Sequence, residues 1–206
     1  MKRVCAVLLL AVITTIVSAS PISGLLERID RGASKKFIIE EVKSDTDFFE
    51  LDQKGSRVVI RGNNSVSIAT GLNWYLKYYA GIHLSWNGMT ATLPDVLPPV
   101  MKKERHETKL PWRYDLNYCT YSYSMAFWDW ERWEKEIDWM ALHGINLPLV
   151  ITGTETVWYN VLQKLGYNKT EIDEFISGPG FFAWWLMNNL EGWGGPNPDH
   201  WYTQQV

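Results

Sequence analysis

Polar side chains that could contact a ligand alternate along one short extended segment, residues 113–119. Alternation in a strand places Asp115, Asn117 and Cys119 on the same face. A strand that is buried on both faces is almost continuously Val, Ile or Leu, so a polar row is unusual. In parallel sheets and barrels, polar residues near the carboxyl end of a strand commonly line a ligand site. Hydrogen bonds from Asp115 and Asn117 to neighbouring backbone groups explain the pattern equally well.

Two residues in downstream loops are further candidates for ligand contact. Glu155 follows the next predicted strand, and Thr154 before it suits a helix N-cap. Glu155 would then stabilise the helix dipole from the first turn, or it would contact a ligand from the end of the strand. Trp193 lies in a glycine-rich loop, residues 191–198, and we interpret it as an indole on a mobile loop that could stack on a sugar ring.

A thiol enzyme is a separate hypothesis. Cys119 is the only cysteine after residue 5, and His106 or His143 could activate its thiol. His143 is more simply explained as a cap at the C-terminus of a helix. Blocking the thiol by alkylation would separate this hypothesis from the others.

The candidate residues are positioned by a predicted strand–helix–strand unit that starts at residue 112. A helix over 126–143 connects the strand at 113–119 to a second, parallel strand at 145–151. Apolar residues recur along this helix at three- and four-residue steps and should pack on the sheet: Trp130, Trp133, Ile137 and Met140. Its charged residues should face solvent: Asp129, Arg132, Lys135, Glu136 and Asp138. Helices are predicted next over 153–165, 170–177 and 181–189, and a last one opens at residue 198.

Residues 21–91 predict a small α+β accessory domain with no catalytic constellation. Helices are predicted over 22–29 and 66–80, and strands over 36–42, 48–53, 57–61 and 83–86, the second and third as a hairpin. Residues 92–111 are proline-rich and then charged, which is typical of a linker.

The first 20 residues have the pattern of a secretory signal peptide. Lys2 and Arg3 precede an uncharged apolar run over 4–17 that is too short for a comfortable membrane span. We therefore expect an exported protein with no stable membrane anchor after cleavage, in the periplasm or outside the cell, or in the lysosome of a eukaryote. The sequons at Asn63 and Asn168 would be glycosylated only in a eukaryotic secretory route. Export with a single thiol leaves no internal disulfide.

The chain has a formal net charge of −3 and no basic patch, so a nucleic-acid partner is not expected. Its 12 tryptophans are the unusual feature of the composition, and ten of them lie at or beyond Trp112. Cleft-lining indoles stack on sugar rings, although buried ones are more often simply core residues.

Three segments carry a resemblance to a known family. The run RYDLNYCTYSYSMAFWDWERWEKEIDWMALHGINLPLVITGTETVWYNV resembles the opening of the catalytic domain of the alpha-N-acetylglucosaminidases, glycoside hydrolase family 89. The segments GPGFFAWWLMNNLEGWGGPNPDHW and RGNNSVSIATGLNWYLKYYAG are similar to the same family. The resemblance covers nearly all of the chain after the leader. It implies an α/β fold, with a small N-terminal domain before the first part of a (β/α)8 TIM barrel, truncated after about two repeats in residues 112–206.

The resemblance also implies an activity. The family removes terminal α-linked N-acetylglucosamine from glycans such as heparan sulfate fragments or mucin-type chains, with retention of configuration and without a cofactor or metal. Its two catalytic glutamates are expected beyond Val206, so the chain alone is expected to be inactive. The resemblance places Asn117, Cys119 and Trp193 in or near the sugar pocket. A carbohydrate-binding fragment without catalysis is the alternative, and the natural glycan and oligomeric state stay open.

Overall fold

The computed structural model describes residues 20–202, whose elements form two groups along the chain. The first group contains α1 (Pro21–Ile29), β1 (Phe37–Glu41), β2 (Asp47–Lys54), β3 (Arg57–Gly62), α2 (Ser65–Tyr78) and β4 (Glu104–Thr108). The second contains β5 (Tyr114–Asp115), α3 (Tyr118–Tyr123), α4 (Trp130–Leu142), β6 (Leu147–Pro148), α5 (Thr154–Lys164), α6 (Lys169–Phe175) and α7 (Phe182–Leu186). Short 3-10 turns cover Ala33–Lys36 and Asp199–Tyr202. The predicted signal peptide lies outside the described residues, apart from Ser20.

The first group is a four-stranded sheet, ordered β1-β3-β2-β4, that packs on α1 and α2. β2 and β3 form the predicted antiparallel hairpin, and β1 runs parallel to β3. Alternation along the hairpin sends Phe49, Leu51, Val58 and Ile60 into one apolar core with the helices. The predicted strand at 83–86 is reduced to a single bridge between residues 85 and 88.

The segment predicted as a linker, residues 92–111, largely belongs to this first group. β4 pairs antiparallel with β2 and forms the edge of the sheet. Leu93, Leu97 and Val100 are buried in the same core. The apolar residues of this segment supply the burial that a flexible linker would lack.

The second group opens with the predicted parallel strand–helix–strand unit, but its strands are only two residues long. β5 pairs with β6 in the register Tyr114 to Leu147 and Asp115 to Pro148, and α3 and α4 lie between them in the chain. None of the helices described between residues 20 and 202 is long and apolar enough to cross a membrane.

The prediction of one strand over 113–119 is wrong, because local hydrogen bonds bend the chain after Asp115. The Leu116 amide donates to Asp115 Oδ1 at 2.8 Å, and Leu116 has a left-handed φ of 69°. Asn117 then caps α3, since its Oδ1 accepts from the Thr120 amide at 3.1 Å. Short polar side chains offer the backbone such alternatives to a strand ladder. Hence Asn117 precedes a helix as its N-cap and Cys119 lies in the first turn, and the explanation of Asp115 and Asn117 by backbone hydrogen bonds is confirmed.

The predicted burial pattern of α4 is partly wrong. The helix begins at Trp130 behind the N-cap Asp129, four residues later than predicted. Met140 is buried, but Trp130 and Ile137 are exposed and line an open apolar groove of about 370 Å³. Glu136 and Asp138, predicted to face solvent, are buried.

The buried charges of α4 join the two groups. Asp138 accepts two hydrogen bonds from Arg28 of α1, at 2.6 and 2.7 Å. Glu136 accepts from the Trp86 indole at 2.6 Å and from Arg132 at 3.2 Å. A charged residue is buried at low cost only when it is paired, so these contacts explain why the polar side of α4 faces inward.

Candidate functional site

The candidate site lies where α3, α5 and α7 meet beyond the carboxyl ends of β5 and β6. Ser122 of α3 accepts a hydrogen bond from the Ala183 amide of α7 at 3.1 Å. The three helices surround a cavity of about 20 Å³, to which they contribute Tyr121, Ser122, Glu155, Phe182 and Ala183. The structure therefore brings Asn117, Cys119 and Glu155 to the same end of the second group.

Asn117 is exposed at the first turn of α3 and serves as its N-cap. Its Oδ1 accepts from the Thr120 amide and from the Thr120 hydroxyl at 3.0 Å. Among residues 20–202, the Asn117 Nδ2 group has no protein acceptor, so it can donate to a ligand without breaking the cap. The cap fixes the orientation of this amide, which is what a sugar-binding group requires.

Cys119 follows in the first turn of α3 and has a partly exposed, unpaired thiol. The structure gives it no histidine partner within the described residues. His143 caps the C-terminus of α4, as predicted, and its Nδ1 lies 2.8 Å from the Trp139 carbonyl. His106 stacks against Phe49 and Trp74 in the first group. A thiol nucleophile needs an adjacent base, so this arrangement does not support the thiol-enzyme hypothesis.

Glu155 is a buried carboxyl group, with a residue exposure of 6%. Gly153, in the left-handed conformation, is the N-cap of α5, and not Thr154 as predicted. Burial raises the pKa of the Glu155 carboxyl group, although the backbone amides of Gly153 and Glu155 partly offset the rise. Glu155 Oε2 has no hydrogen-bond partner among the described residues. Glu155 is therefore not a solvent-exposed charge in the first turn of α5: its carboxyl group is buried and lines the small cavity.

Trp193 is 61% exposed, and hydrogen bonds anchor its loop to the residues at the end of α6. The Trp193 amide donates to Ser177 Oγ at 3.2 Å, and its carbonyl accepts from the Gly178 amide at 2.8 Å. The Gly192 amide donates to the Phe175 carbonyl at 3.0 Å. Gly192 and Gly194 take left-handed φ values of 66°, which explains the glycines of this loop.

An aromatic row, which we define as Tyr123, Trp184, Phe181 and Trp193, extends the site across α3, α7 and the glycine-rich loop. The Tyr123 and Trp184 rings are 5.0 Å apart, Trp184 and Phe181 are 6.2 Å apart, and Phe181 and Trp193 are 6.0 Å apart. Tyr123, Phe181 and Trp193 are exposed. Of these four residues, only Trp193 is a predicted ligand contact from the sequence. The high aromatic content of YSYS and FFAWW was the available signal, but only packing of α3 on α7 shows that these rings are neighbours.

The described residues contain no group of His, Cys, Asp and Glu side chains that could hold a metal ion. The site thus offers an oriented amide, a thiol, a buried carboxyl group and exposed rings. These groups suit hydrogen bonding and stacking to an uncharged polar ligand such as a sugar.

Comparison with known proteins identifies the family. Residues 20–99 match the alpha-N-acetylglucosaminidase N-terminal domain, and residues 113–206 match the tim-barrel domain of the same family. Human alpha-N-acetylglucosaminidase is 45% identical over 165 residues, which is 80% of this chain. The chain belongs to the alpha-N-acetylglucosaminidase family. It spans 22% of the length of the human relative.

Solved structures of family 89 confirm the predicted fold class. A family 89 glycoside hydrolase from Clostridium perfringens, in complex with its substrate GlcNAc-alpha-1,4-galactose, matches with a TM-score of 0.83 and 42% identity. The match covers 88% of this chain and 21% of that protein. The Clostridium perfringens enzyme in complex with PUGNAc matches over the same shares with a TM-score of 0.82. The second group of elements is accordingly part of a TIM-barrel domain.

Proposed function

We propose that this chain is the N-terminal part of an exo-acting alpha-N-acetylglucosaminidase that removes terminal α-linked N-acetylglucosamine from glycans. The observation that carries the proposal is the 42% identity and close structural match to a family 89 hydrolase that was solved with GlcNAc-alpha-1,4-galactose. The exposed rings and the oriented Asn117 amide fit this chemistry, because sugars present both apolar ring faces and hydroxyl groups.

The catalytic acids are proposed to lie beyond Val206. A retaining glycosidase needs two carboxyl groups about 5 Å apart, with room for a sugar between them. Glu155 faces a cavity of about 20 Å³, which has room for one water molecule but is too small for a sugar ring. The related protein solved with its substrate carries two glutamate-to-glutamine substitutions, which is consistent with a pair of catalytic glutamates in that enzyme.

Four residues of this chain are proposed to contribute to the site. Asn117 donates to a sugar hydroxyl or amide oxygen, Cys119 packs beside it, and Trp193 covers an apolar face of the ligand. Glu155 contributes a buried carboxyl group to the cavity between α3, α5 and α7. Support comes from the positions of these side chains around α3 and its neighbours.

The activity test uses the whole protein that carries this chain. Purified protein should hydrolyse the 4-nitrophenyl glycoside of α-linked N-acetylglucosamine and leave the β-linked isomer intact. Proton NMR during the first turnovers should show the α-anomer of the free sugar, as retention requires. A β-anomer as the first product would contradict the retaining mechanism. Hydrolysis by residues 20–206 alone would contradict the placement of the glutamates.

Export is proposed from Lys2, Arg3 and the apolar run over 4–17. N-terminal sequencing of the protein recovered outside the cytoplasm should begin near residue 20. A mature protein that still starts at Met1, recovered from the cytoplasm, would contradict this proposal.

A carbohydrate-binding fragment is the second candidate, and the exposed aromatic row favours it. Residues 20–206, purified as a folded monodisperse sample, would then bind free N-acetylglucosamine in calorimetry without hydrolysing any glycoside. Loss of binding in a Trp193→Ala variant would assign that binding to the row.

A further inference from the structure

A separate cavity of about 130 Å³ lies between α5, the end of α6 and the end of α7. None of the described residues that line it belongs to the aromatic row or to the small cavity beside Glu155. Three of its lining residues, Trp158, Phe175 and Trp185, are aromatic, and we call them the aromatic box. The cavity is smaller than the roughly 300–1,000 Å³ of pockets for drug-sized ligands, so it suits a compact group.

The aromatic box consists of one buried ring with two rings standing across it. The Trp158 and Trp185 rings are 5.3 Å apart and make an angle of 88°. The Phe175 and Trp185 rings are also 5.3 Å apart, at 79°. Trp185 is 6% exposed, whereas Trp158 and Phe175 are 42% and 38% exposed. A group in the cavity therefore contacts rings in different orientations and can enter from solvent.

Contacts within the protein hold the box in place. The buried Phe182 ring stacks on Trp185 at 5.3 Å and 19°. The Phe175 carbonyl accepts from the Gly192 amide at 3.0 Å, and the Asn188 amide donates to the Trp185 carbonyl at 2.9 Å. Because these rings are already ordered, binding a ligand between them costs little conformational entropy.

A carboxylate lines the same cavity and has no cation beside it. Glu191 is exposed, and its side chain has no ion pair or hydrogen bond among residues 20–202. The described lining residues include no Lys or Arg. Lys169, six positions before Phe175, is already paired with Asp173 and Asp199. The Glu191 carboxylate is therefore available to a ligand.

Aromatic rings beside a carboxylate favour an organic cation. The face of an aromatic ring is negative and attracts a cation that lies within about 6 Å of its centre, most strongly when the ring is Trp. A methylated ammonium group has no N–H to satisfy, whereas the ammonium of a lysine is strongly hydrated and carries three donors. The box offers few acceptors, so it fits the methylated group better.

We propose that this cavity binds a quaternary ammonium group, such as that of choline, between the rings of the aromatic box with Glu191 as its counter-ion. The proposal is independent of the proposed glycosidase function, since neither its residues nor its test involves a glycoside.

The test titrates the whole protein with choline and with its uncharged isostere, in which a tert-butyl group replaces the trimethylammonium group. In calorimetry at low salt we expect a Kd of about 1 mM for choline. The isostere should bind at least ~10-fold more weakly, equivalent to about 1.4 kcal/mol, because it has the same shape without the charge. Equal affinities, or no saturable binding of choline, would overturn the proposal.

Variants of Trp158 test the contact with the rings. Trp158→Leu should weaken choline binding at least ~5-fold, whereas Trp158→Tyr keeps an aromatic face and should weaken it by less than about threefold. Trp130 is 69% exposed on α4 and does not line the cavity, so Trp130→Leu should leave the affinity unchanged. Equal losses in the two Trp158 variants, or the same loss in Trp130→Leu, would contradict binding by the box.

A variant of Glu191 tests the counter-ion. Glu191→Gln should weaken choline binding about threefold at low salt, and the difference should shrink near 0.5 M NaCl, because salt screens exposed charges. Glu41→Gln, at an exposed residue of β1, changes the net charge equally and should have no effect. The same loss in both variants, or in neither, would contradict the role of Glu191.

Vesicles distinguish the two sources of a quaternary ammonium group. Co-sedimentation with phosphatidylcholine vesicles that free choline reverses would assign a lipid headgroup as the ligand. Choline binding without co-sedimentation would assign a soluble ligand.

Discussion

Gly178→Ala, which adds one methyl group, should displace the backbone of the candidate site. A Cβ at Gly178 would fall inside contact distance of the Gly194 carbonyl oxygen, 2.5 Å from the Gly194 carbonyl carbon and 3.2 Å from the Gly195 nitrogen. These are backbone atoms of the loop that carries Trp193. Because backbone cannot rotate away as a side chain can, Gly178→Ala must move the loop.

The expected cost follows from two contributions. Overpacking by one methyl group costs about 1–3 kcal/mol. Moving the loop also lengthens the 2.8 Å hydrogen bond from the Gly178 amide to the Trp193 carbonyl, which contributes about 1 kcal/mol. We therefore expect Gly178→Ala to lower the free energy of unfolding by about 2–4 kcal/mol in total.

Gly180 provides a matched control two residues away. A Cβ there meets nothing within 4 Å, and its φ is not left-handed. Gly180→Ala should be neutral or stabilise the protein by up to about 1 kcal/mol, because alanine restricts the unfolded chain.

Urea unfolding of the wild type and both variants, followed by tryptophan fluorescence, measures the difference. With a slope of about 2 kcal/mol per molar urea, Gly178→Ala should lower the midpoint by about 1–2 M. In the whole protein it should also raise KM for the chromogenic glycoside, because Trp193 is displaced. Equal midpoints for the two variants would refute the close contact between the α6 end and the Trp193 loop.

Further predictions concern the buried charges and the oriented amide. Burial raises the pKa of Glu155 in the folded state, so the protonated carboxyl group stabilises the fold at pH values below the unfolded pKa, and this stabilisation is lost as pH rises through the folded pKa. The urea midpoint of the wild type should therefore fall between pH 4 and 8, and Glu155→Gln should remove that part of the fall. Asp138→Asn should lower the free energy of unfolding by about 1–3 kcal/mol, because it weakens the two hydrogen bonds from Arg28. Glu131→Gln, at an exposed ion pair, should lower it by less than about 0.5 kcal/mol. Equal urea midpoints for the two variants would contradict a stabilising contact between α1 and α4. Asn117→Ala should lower kcat/KM for the chromogenic α-glycoside at least ~10-fold, and unchanged kinetics would remove Asn117 from the site.

Sequence patterns predicted the larger elements of the fold because local chemistry determines them. The β2–β3 hairpin follows from alternation around Gly55, and α2 begins behind Asn64, whose side chain accepts from the Ser67 amide at 2.8 Å. The residues that determine the hairpin and those that determine the start of α2 each lie within about 15 positions of one another. The barrel was predicted only through the resemblance to family 89, because β5 and β6 are two residues long each and do not indicate a barrel by themselves.

Local sequence patterns did not predict the burial or the contacts of residues whose partners are distant in sequence. The charges of α4 predicted a solvent-facing side, but Arg28 and Trp86 lie far away in sequence and provide partners for Asp138 and Glu136. The glycine-rich pattern after Glu191 gives no sign of the hydrogen bonds by which Ser177 and Phe175 anchor that loop. In each case the deciding contact joins residues at least 16 positions apart, beyond the range of any periodicity.

The first group has a physical connection to the candidate site through β5. Arg113, immediately before β5, donates to Asp47 of β2 at 2.6 Å and to the Gly144 carbonyl after α4 at 2.5 Å. One guanidinium group therefore links the N-terminal sheet to both ends of the strand–helix unit. Because β5 is only two residues long, we expect this contact to help fix the position of Asn117 alongside the strand pairing. Substitutions at Asp47 should then weaken substrate binding without touching the ligand, and the Asp47→Asn variant, which keeps one of the two acceptor oxygens and loses the charge, should do so less than Asp47→Ala.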